Sequence, residues 1–513
     1  MTAAANPALA GGAMPASPRK LSPVEYWLVT LAVMCASLIQ FLDHTIANVA
    51  IPHMQASLNA SPDSVTWILT SFIVASAVAI PAAGWVASRF GTRNPFLFSL
   101  AGFLVSSMLC GIAVNLEEMV LFRILQGICA AFIAPLAQAI LLDITEPSKH
   151  TRALSIWGMT SMLGPIIGPT LGGYLTDNFS WRWVFYINAP IGIPALLILI
   201  RLLPDSGRMA RRFDIYGYAY LAIAIAALQL MLDRGQVNDW FESGETIVEL
   251  VVALCAFWLF LIHTRFTRAP LFPIAVIRNP RVAISAVFGL IMAWIMMGVA
   301  AVVPTLFQTL YGYSVAQTGE VMAPRGIGIF LIMMIMPRLM ALLPLRAILV
   351  TGFALGSLSI WQMTRWTLVM PAWELGLSAF IQGVGMGMLM VPINYIAFSA
   401  VAPEHRTDVS SYLSLVRNLA GSTGISLLVV FISRSAQIVH ADMVPLLDAM
   451  RLGVAPMVLE QYGAASAMAA IVNAEVTRQA TMVAYINAFE LLFLFSLVAI
   501  PVALLVKGKA QAE

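Results

Sequence analysis

Asp43 is an acid in an uncommon place: it sits inside the apolar run 25–50, where hydrocarbon is the expected surrounding. A carboxylate at membrane depth costs at least ~2.5–3.5 kcal/mol to insert, so one that persists there does chemistry or neutralises another charge. Burial disfavours its charged form, which suits a group that takes up and gives back a proton. Ala36, Gln40, Asp43, Ala47 and Ala50 are spaced i, i+4, i+7, i+11 and i+14, and so share one helical face. That face is small and polar, and is predicted to point into the protein or a cavity. Gln40 and Asn48 become candidate cavity-lining residues on the same helix. The plainer alternative makes Asp43 a structural partner for a buried cation such as Arg123.

Arg123 supplies that cation in the run 118–142, with Gln126 and Gly127 three and four residues on. A guanidinium cannot shed its charge, and inside a bilayer it must find a carboxylate, carbonyls or water. Asp43 and Arg123 are therefore predicted to form a proton-coupling centre, with Glu490 in the last apolar run as a further candidate. Gln126, Gln382, Asn394 and Arg417 complete the polar residues expected to line a substrate cavity. In the run 153–175, Gly164, Pro165, Gly168, Pro169, Gly172 and Gly173 combine close-approach glycines with helix-loosening prolines. That pattern suits a hinge or a sealing contact. Gly84, Arg89, Gly91 and Arg93 mark a tight basic turn, explained largely as an orientation signal. Met386, Met388 and Met390 offer a flexible apolar wall, or plain packing.

These residues need elements to hold them, and hydropathy gives fourteen helices. The chain has 513 residues, 60% hydrophobic and 10% charged, against about 25% charged in soluble domains. Its apolar windows are about 20 residues long, enough to cross a bilayer as helix. They are too continuous for the alternating segments of an outer-membrane barrel. The chain is thus expected to be an all-α integral membrane protein. It has a tail (1–24), a six-helix half (25–203), and two extra helices with a linker (204–281). A second six-helix half (282–506) carries a long polar outside loop (435–482), for which short helices or a docking role are both open, and a short tail (507–513) ends the chain.

The two halves repeat at a spacing of half the chain. Leu125-Gln126-Gly127 with Pro135 returns as Ile381-Gln382-Gly383 with Pro392. Lys149-His150-Thr151-Arg152 returns as Glu404-His405-Arg406-Thr407, and Gly164 with Gly168 as Ala420 with Gly424. The equivalents of Asp43 and Arg123 fall near Ile295 and Ala379, so the scaffold itself needs neither charge. Most Lys and Arg lie on the side shared by both termini, which the positive-inside rule makes cytoplasmic. Two parallel helical halves are the architecture of a rocker-type secondary transporter, with its substrate site between them.

Other classes lack their signatures. No His-Glu-x-x-His or Gly-x-Ser-x-Gly serves an intramembrane enzyme, and no Gly-x4-Gly-Lys-Ser/Thr loop serves an ATP-driven pump. The four cysteines lie in apolar runs and read as packing residues, not disulfides or metal ligands. No cofactor or metal is expected, and a net charge of +3 is too small to suggest nucleic acid.

Taken together, the motifs resemble the drug:proton antiporter family with fourteen spans (the EmrB/QacA type, EmrB-like branch) of the major facilitator superfamily. The likeness rests on Leu42-Asp43-x-Thr45-Ile46-Ala47-Asn48-Val49-Ala50-x-Pro52, Gly84-x4-Arg89-x-Gly91, Arg123-x2-Gln126-Gly127 and Gly164-Pro165-x2-Gly168-Pro169-x2-Gly172-Gly173. Trp183-Val184-Phe185-Tyr186-Ile187-Asn188-x-Pro190, Tyr311-Gly312-Tyr313 and Leu419-Ala420-Gly421-Ser422-x-Gly424 extend it. The resemblance implies proton-coupled export of hydrophobic or amphipathic compounds across a bacterial inner membrane by alternating access. It also implies a periplasmic membrane-fusion adaptor and an outer-membrane channel as partners, with the 435–482 loop compatible with docking. The chain departs from the family at Ser88, where an acid often precedes the arginine, so an acid-dependent cytoplasmic latch is not expected there. A dedicated exporter of a metabolite such as a fatty acid or siderophore is the alternative.

Overall fold

Apolar length decides the elements. A computed structural model, describing residues 21–205, 207–208, 211–235, 238–450 and 464–504, holds fourteen long helices and, among those residues, no strand. The first half consists of α1 (Pro23–Ser57), α2 (Trp67–Phe90), α3 (Arg93–Ile112), α4 (Leu116–Ile144), α5 (His150–Asn178) and α6 (Trp183–Leu202). Next come the inserted pair α7 (Ile215–Arg234) and α8 (Gly244–Phe266). The second half consists of α9 (Pro280–Thr309), α10 (Val315–Leu342), α11 (Leu345–Met363), α12 (Ala372–Phe398), α13 (Arg406–Met450) and α14 (Ala464–Leu504). Among the described residues, thirteen helices are long and apolar enough to cross a membrane. The fourteenth is α5, 29 residues whose many Gly, Pro, Ser and Thr make it less apolar.

The repeat in the sequence has a packing cause. A side chain at Gly127 on α4 would meet the Phe72 carbonyl of α2 at 2.5 Å, and one at Gly383 on α12 would collide with the Arg325 carbonyl of α10. In each half the fourth helix thus lies directly on the backbone of the second, which only glycine permits. Gly164, Gly168 and Gly172 of α5 do the same against α1, facing Phe41, Thr45 and Ile46 in turn. Gly424 of α13 lies against Trp294 of α9. Gly173, by contrast, has only Val49 at an ordinary 3.8 Å. Despite Pro165 and Pro169, α5 runs unbroken.

The halves meet along α5, α10 and α12, where Gly158 faces Met333 and Ile166 packs on Gly326. They meet again at the end of the bundle where α1 starts, called here the proximal end. There Arg406 pairs with Asp143 at 2.8 Å, and Ser410 donates to Gln138. Helix α7 straddles this second seam. Leu221 and Ile225 share an apolar cluster with Ala77 of α2 and Leu415 of α13. Ser422 of α13 donates to Gln229 at 2.7 Å, and Ser426 to the Leu232 carbonyl at 3.0 Å.

Two sequence expectations need correction. Residues 435–482 are largely helical rather than a loop: α13 continues to Met450 and α14 begins at Ala464. Hydropathy misses this because Ala, Met, Leu and Gln favour helix whether or not they are apolar enough for lipid. With 45 residues, α13 is roughly 68 Å long against a bilayer core of about 30 Å. Both helices project past such a core at the distal end, where His440 and Asn473 meet at 3.0 Å. Residues 451–463 of that segment lie outside the described residues, as do most of both tails. Likewise, the basic turn is mostly helix: Ala83–Phe90 is helical, and only Gly91 (φ +80°) makes the turn.

Candidate functional site

The small polar face of α1 is buried as expected: Ala36, Ala47 and Ala50 are fully covered, and Asp43 has 0% exposure. From α4, Arg123 (1% exposed) reaches it and donates from Nη1 to Asp43 Oδ2 at 2.6 Å. The same nitrogen donates to Gln126 Oε1 at 2.8 Å, and Gln126 Nε2 donates to Asp43 Oδ1 at 2.9 Å. Arg123 and Gln126 stand three residues apart on one helical face, so both ends of the glutamine serve the ion pair. Arg123 Nε donates to the Ile68 carbonyl at 3.0 Å, and the guanidinium lies 4.1 Å from the Phe72 ring. The same close approach of α2 that requires Gly127 brings that carbonyl and ring within reach.

One partner was not singled out by residue type. Asn188, at the start of the main stretch of α6, donates from Nδ2 to Asp43 Oδ1 at 3.4 Å and to Ser107 Oγ at 2.9 Å. It lies within the Trp183–Pro190 motif, and its signal was a polar residue flanked by apolar ones. The outcome is a neutral, water-excluded cluster of an acid, a base and two amides. Such a pair is held by mutual attraction and hydrogen bonds, and losing either charge leaves the other stranded.

Other candidates lie apart from this centre. Gln40 is buried on the Asp43 face, but its Oε1 has no hydrogen-bond partner. Asn48 is on an exposed face, and Glu490 is exposed on α14 without an ion pair to Arg123. Gln382 is fully buried with neither polar atom hydrogen-bonded. Asn394 accepts from Arg417 Nη1 at 3.3 Å, so these two do come together.

At the proximal end the basic segment has an acid after all, supplied by the other half. Asp408, on the first turn of α13, lies against Gly84, where any side chain would strike its carboxylate. Arg211, from the linker before α7, pairs with Asp408 at 2.9 Å and donates to the Pro270 carbonyl at 2.9 Å. Trp85 Nε1 donates to the Arg211 carbonyl at 3.0 Å, and Ser88 bonds back to Gly84 at 2.8 Å. Arg93 donates to the Ile200 carbonyl at 2.6 Å, whereas Arg89 is exposed. Sequence spacing within the segment held no sign of Asp408, because the contact forms between residues more than 300 positions apart in the chain.

Comparison with known proteins agrees with this geometry. The family model described as "Major Facilitator Superfamily" matches residues 33–425. "Multidrug export protein EmrB" of Escherichia coli (strain K12) is 34% identical over 431 residues, covering 83% of this chain and 84% of that protein. "Fatty acid resistance protein FarB" of Neisseria gonorrhoeae is 34% identical over 400 residues, covering 78% of this chain and 79% of that protein. The solved structure of the proton:xylose symporter XylE aligns with a TM-score of 0.58 at 12% identity, covering 94% of this chain and 97% of that one, a likeness of fold. By its matched sequence, its fourteen helices and its two-half packing, the chain belongs to the Major Facilitator Superfamily, as a multi-pass membrane protein of the EmrB-like branch.

Proposed function

We propose that this protein exports hydrophobic or amphipathic compounds from the cytoplasm in exchange for protons, by alternating access across a bacterial inner membrane, with both termini cytoplasmic. The observation that carries the reading is the buried Asp43–Arg123 pair, which the second half lacks at Ile295 and Ala379. Protonating Asp43 removes the charge that Arg123 faces, so the pair has two states with different preferred positions for α1 and α4. A ligand that binds one of those states better then drives protons and cargo in opposite directions. The glycine face of α5 closes on α1 at Phe41–Ile46, so a shift of α1 is felt there at once.

The drug-type cargo is supported by the likeness to EmrB, a multidrug exporter by name; FarB favours a second reading, a dedicated fatty-acid exporter. Helices α13 and α14, projecting beyond the bilayer, offer a surface for a periplasmic adaptor leading to an outer-membrane channel. The energy is sufficient: one proton crossing about 150 mV releases ~3.5 kcal/mol, and each ~1.4 kcal/mol is tenfold in concentration. Proteoliposomes with an imposed pH gradient, read for a fluorescent amphiphile and internal pH together, test the proposal. Cargo moving against entering protons at a fixed ratio supports it; cargo movement indifferent to the gradient overturns it.

A further inference from the structure

Among the described residues, the second half carries two intramembrane arginines, neither paired with an acid. Arg325 on α10 donates from Nη2 to the Met296 carbonyl at 3.1 Å. Arg417 on α13 donates to Asn394 Oδ1 at 3.3 Å and to Ser414 Oγ at 3.2 Å. All these partners are neutral, and among the described residues no ion pair reaches either guanidinium, whereas Arg123 has Asp43 at 2.6 Å. The two arginines flank the same helix. Arg325 bonds Met296 of α9, and the Arg417 stem passes Gly289, two turns away or about 10 Å.

Arg417 also looks the right way. Ser410, Ser414 and Arg417 are spaced i, i+4, i+7, and Ser410 touches Gln138 of the opposite half. By the repeat, Arg417 occupies the place that Ser161 holds in the first half, and Ser161 reaches across to Met390 Sδ at 3.8 Å. Arg417 thus shares a helix face with a residue that touches the other half, and its first-half counterpart also reaches across. A half-buried cation met only by neutral groups favours an anion, and its planar fork matches an oxyanion. Met390, one turn before the Arg417 partner Asn394 on α12, and Met333 bring adaptable apolar surface from the α5–α10–α12 seam.

We propose that Arg417 is the anion-recognition residue of the cargo site, and that the cargo is an amphiphile with a carboxylate-type head and an apolar body. Arg325 adds to the positive field two turns along α9. The proposal deepens the export reading and rests on it for the direction of movement.

The test uses the full chain in phosphatidylcholine nanodiscs, without any gradient. Three probes share one body: pyrenebutyrate, its neutral methyl ester, and the matching pyrenebutyl-trimethylammonium cation. The wild type is expected to bind pyrenebutyrate at least about tenfold more tightly than the other two. Arg417→Gln should remove that preference, and Arg417→Lys, which keeps charge without the fork, should retain part of it. Equal binding of the three probes, preference for the ammonium, or preference surviving in Arg417→Gln overturns the proposal. So does loss of pyrenebutyrate binding when chloride replaces gluconate at constant ionic strength, since a small inorganic anion would then be the occupant. Should Arg417→Gln fail to fold, the wild-type ranking still decides. Anion-selective binding without gradient-driven movement in proteoliposomes would sink the export reading alone; gradient-driven movement of the ammonium probe without pyrenebutyrate binding would sink this inference alone.

Discussion

Replacing Asp43 by asparagine keeps the shape of the side chain and removes its charge, and the surrounding donors set the cost. Three of them converge on the carboxylate: Arg123 Nη1, Gln126 Nε2 and Asn188 Nδ2. An amide offers one acceptor oxygen and turns its own NH2 toward a donor. Arg123, 1% exposed, is left as an unpaired buried cation, a change worth about 3–5 kcal/mol of stability. Arg123→Gln should cost a similar amount from the other side. In the double variant Asp43→Asn/Arg123→Gln neither charge is stranded, so about 0.5–3 kcal/mol should return as coupling energy. Stability by chemical denaturation in detergent and transport in proteoliposomes then separate two roles for the pair. If the pair couples protons, the double variant regains stability yet sustains no concentration gradient, where the wild type holds several hundredfold from ~3.5 kcal/mol per proton. A double variant that is both stable and able to hold more than about a tenfold gradient would show the pair to be structural and refute the coupling argument.

Glu490→Gln should leave gradient-driven transport unchanged, because that carboxylate sits on an exposed face of α14; a loss in the same vesicle assay would return it to the coupling centre. Gly164→Ala should cut the yield of folded protein, since its new methyl would meet Phe41 backbone at 2.6 Å, while Gly173→Ala, with 3.8 Å of room, should not; size-exclusion profiles compare them. Asp408→Asn should loosen the proximal closure, raising maleimide labelling of Ser410→Cys in a cysteine-free background several-fold, and unchanged labelling would count against that contact as a latch. If the cargo is a monoanion leaving as one proton enters, each cycle moves two charges inward. A potassium-valinomycin potential, positive on the proton-entry side, should then speed export of pyrenebutyrate more than that of its methyl ester.

Much of the fold and part of the site were legible in the chain, for identifiable reasons. The α1 stripe could be read because Ala36, Gln40, Asp43, Ala47 and Ala50 obey a single helical period, and local periodicity is what sequence records best. Arg123 was legible because a guanidinium in hydrocarbon admits few partners. The repeat of Gly127 at Gly383 was legible too, although its cause, a helix backbone lying on each glycine, needed the structure. Asn188 and Asp408 were not identified as site residues, since their partners arrive from distant helices and nothing in their neighbours announces it. Asn48 and Glu490 stand out by type alone, and type does not say which face of a helix they take; both are exposed in the structure. The distal extensions of α13 and α14 escaped because hydropathy reports lipid contact, not helix.

The strap that α7 forms makes the molecule's two flanks unequal. On one flank the halves are joined through α7, held to α13 by the Ser422–Gln229 and Ser426–Leu232 hydrogen bonds and to α2 by shared apolar packing. Hydrogen bonds of this sort within a bilayer are worth about 0.6 kcal/mol apiece, so together they amount to far less than the ~3.5 kcal/mol of one proton. Should this flank open, the bonds to α13 are expected to give way before the apolar packing on α2, leaving α7 with the first half. The two edges between the halves therefore differ: α7 packs over the one between α2 and α13, while α5 and α10 pack directly on each other at the other. The molecule thus has a back, joined by an inserted helix, and a front, where the halves touch with nothing between them.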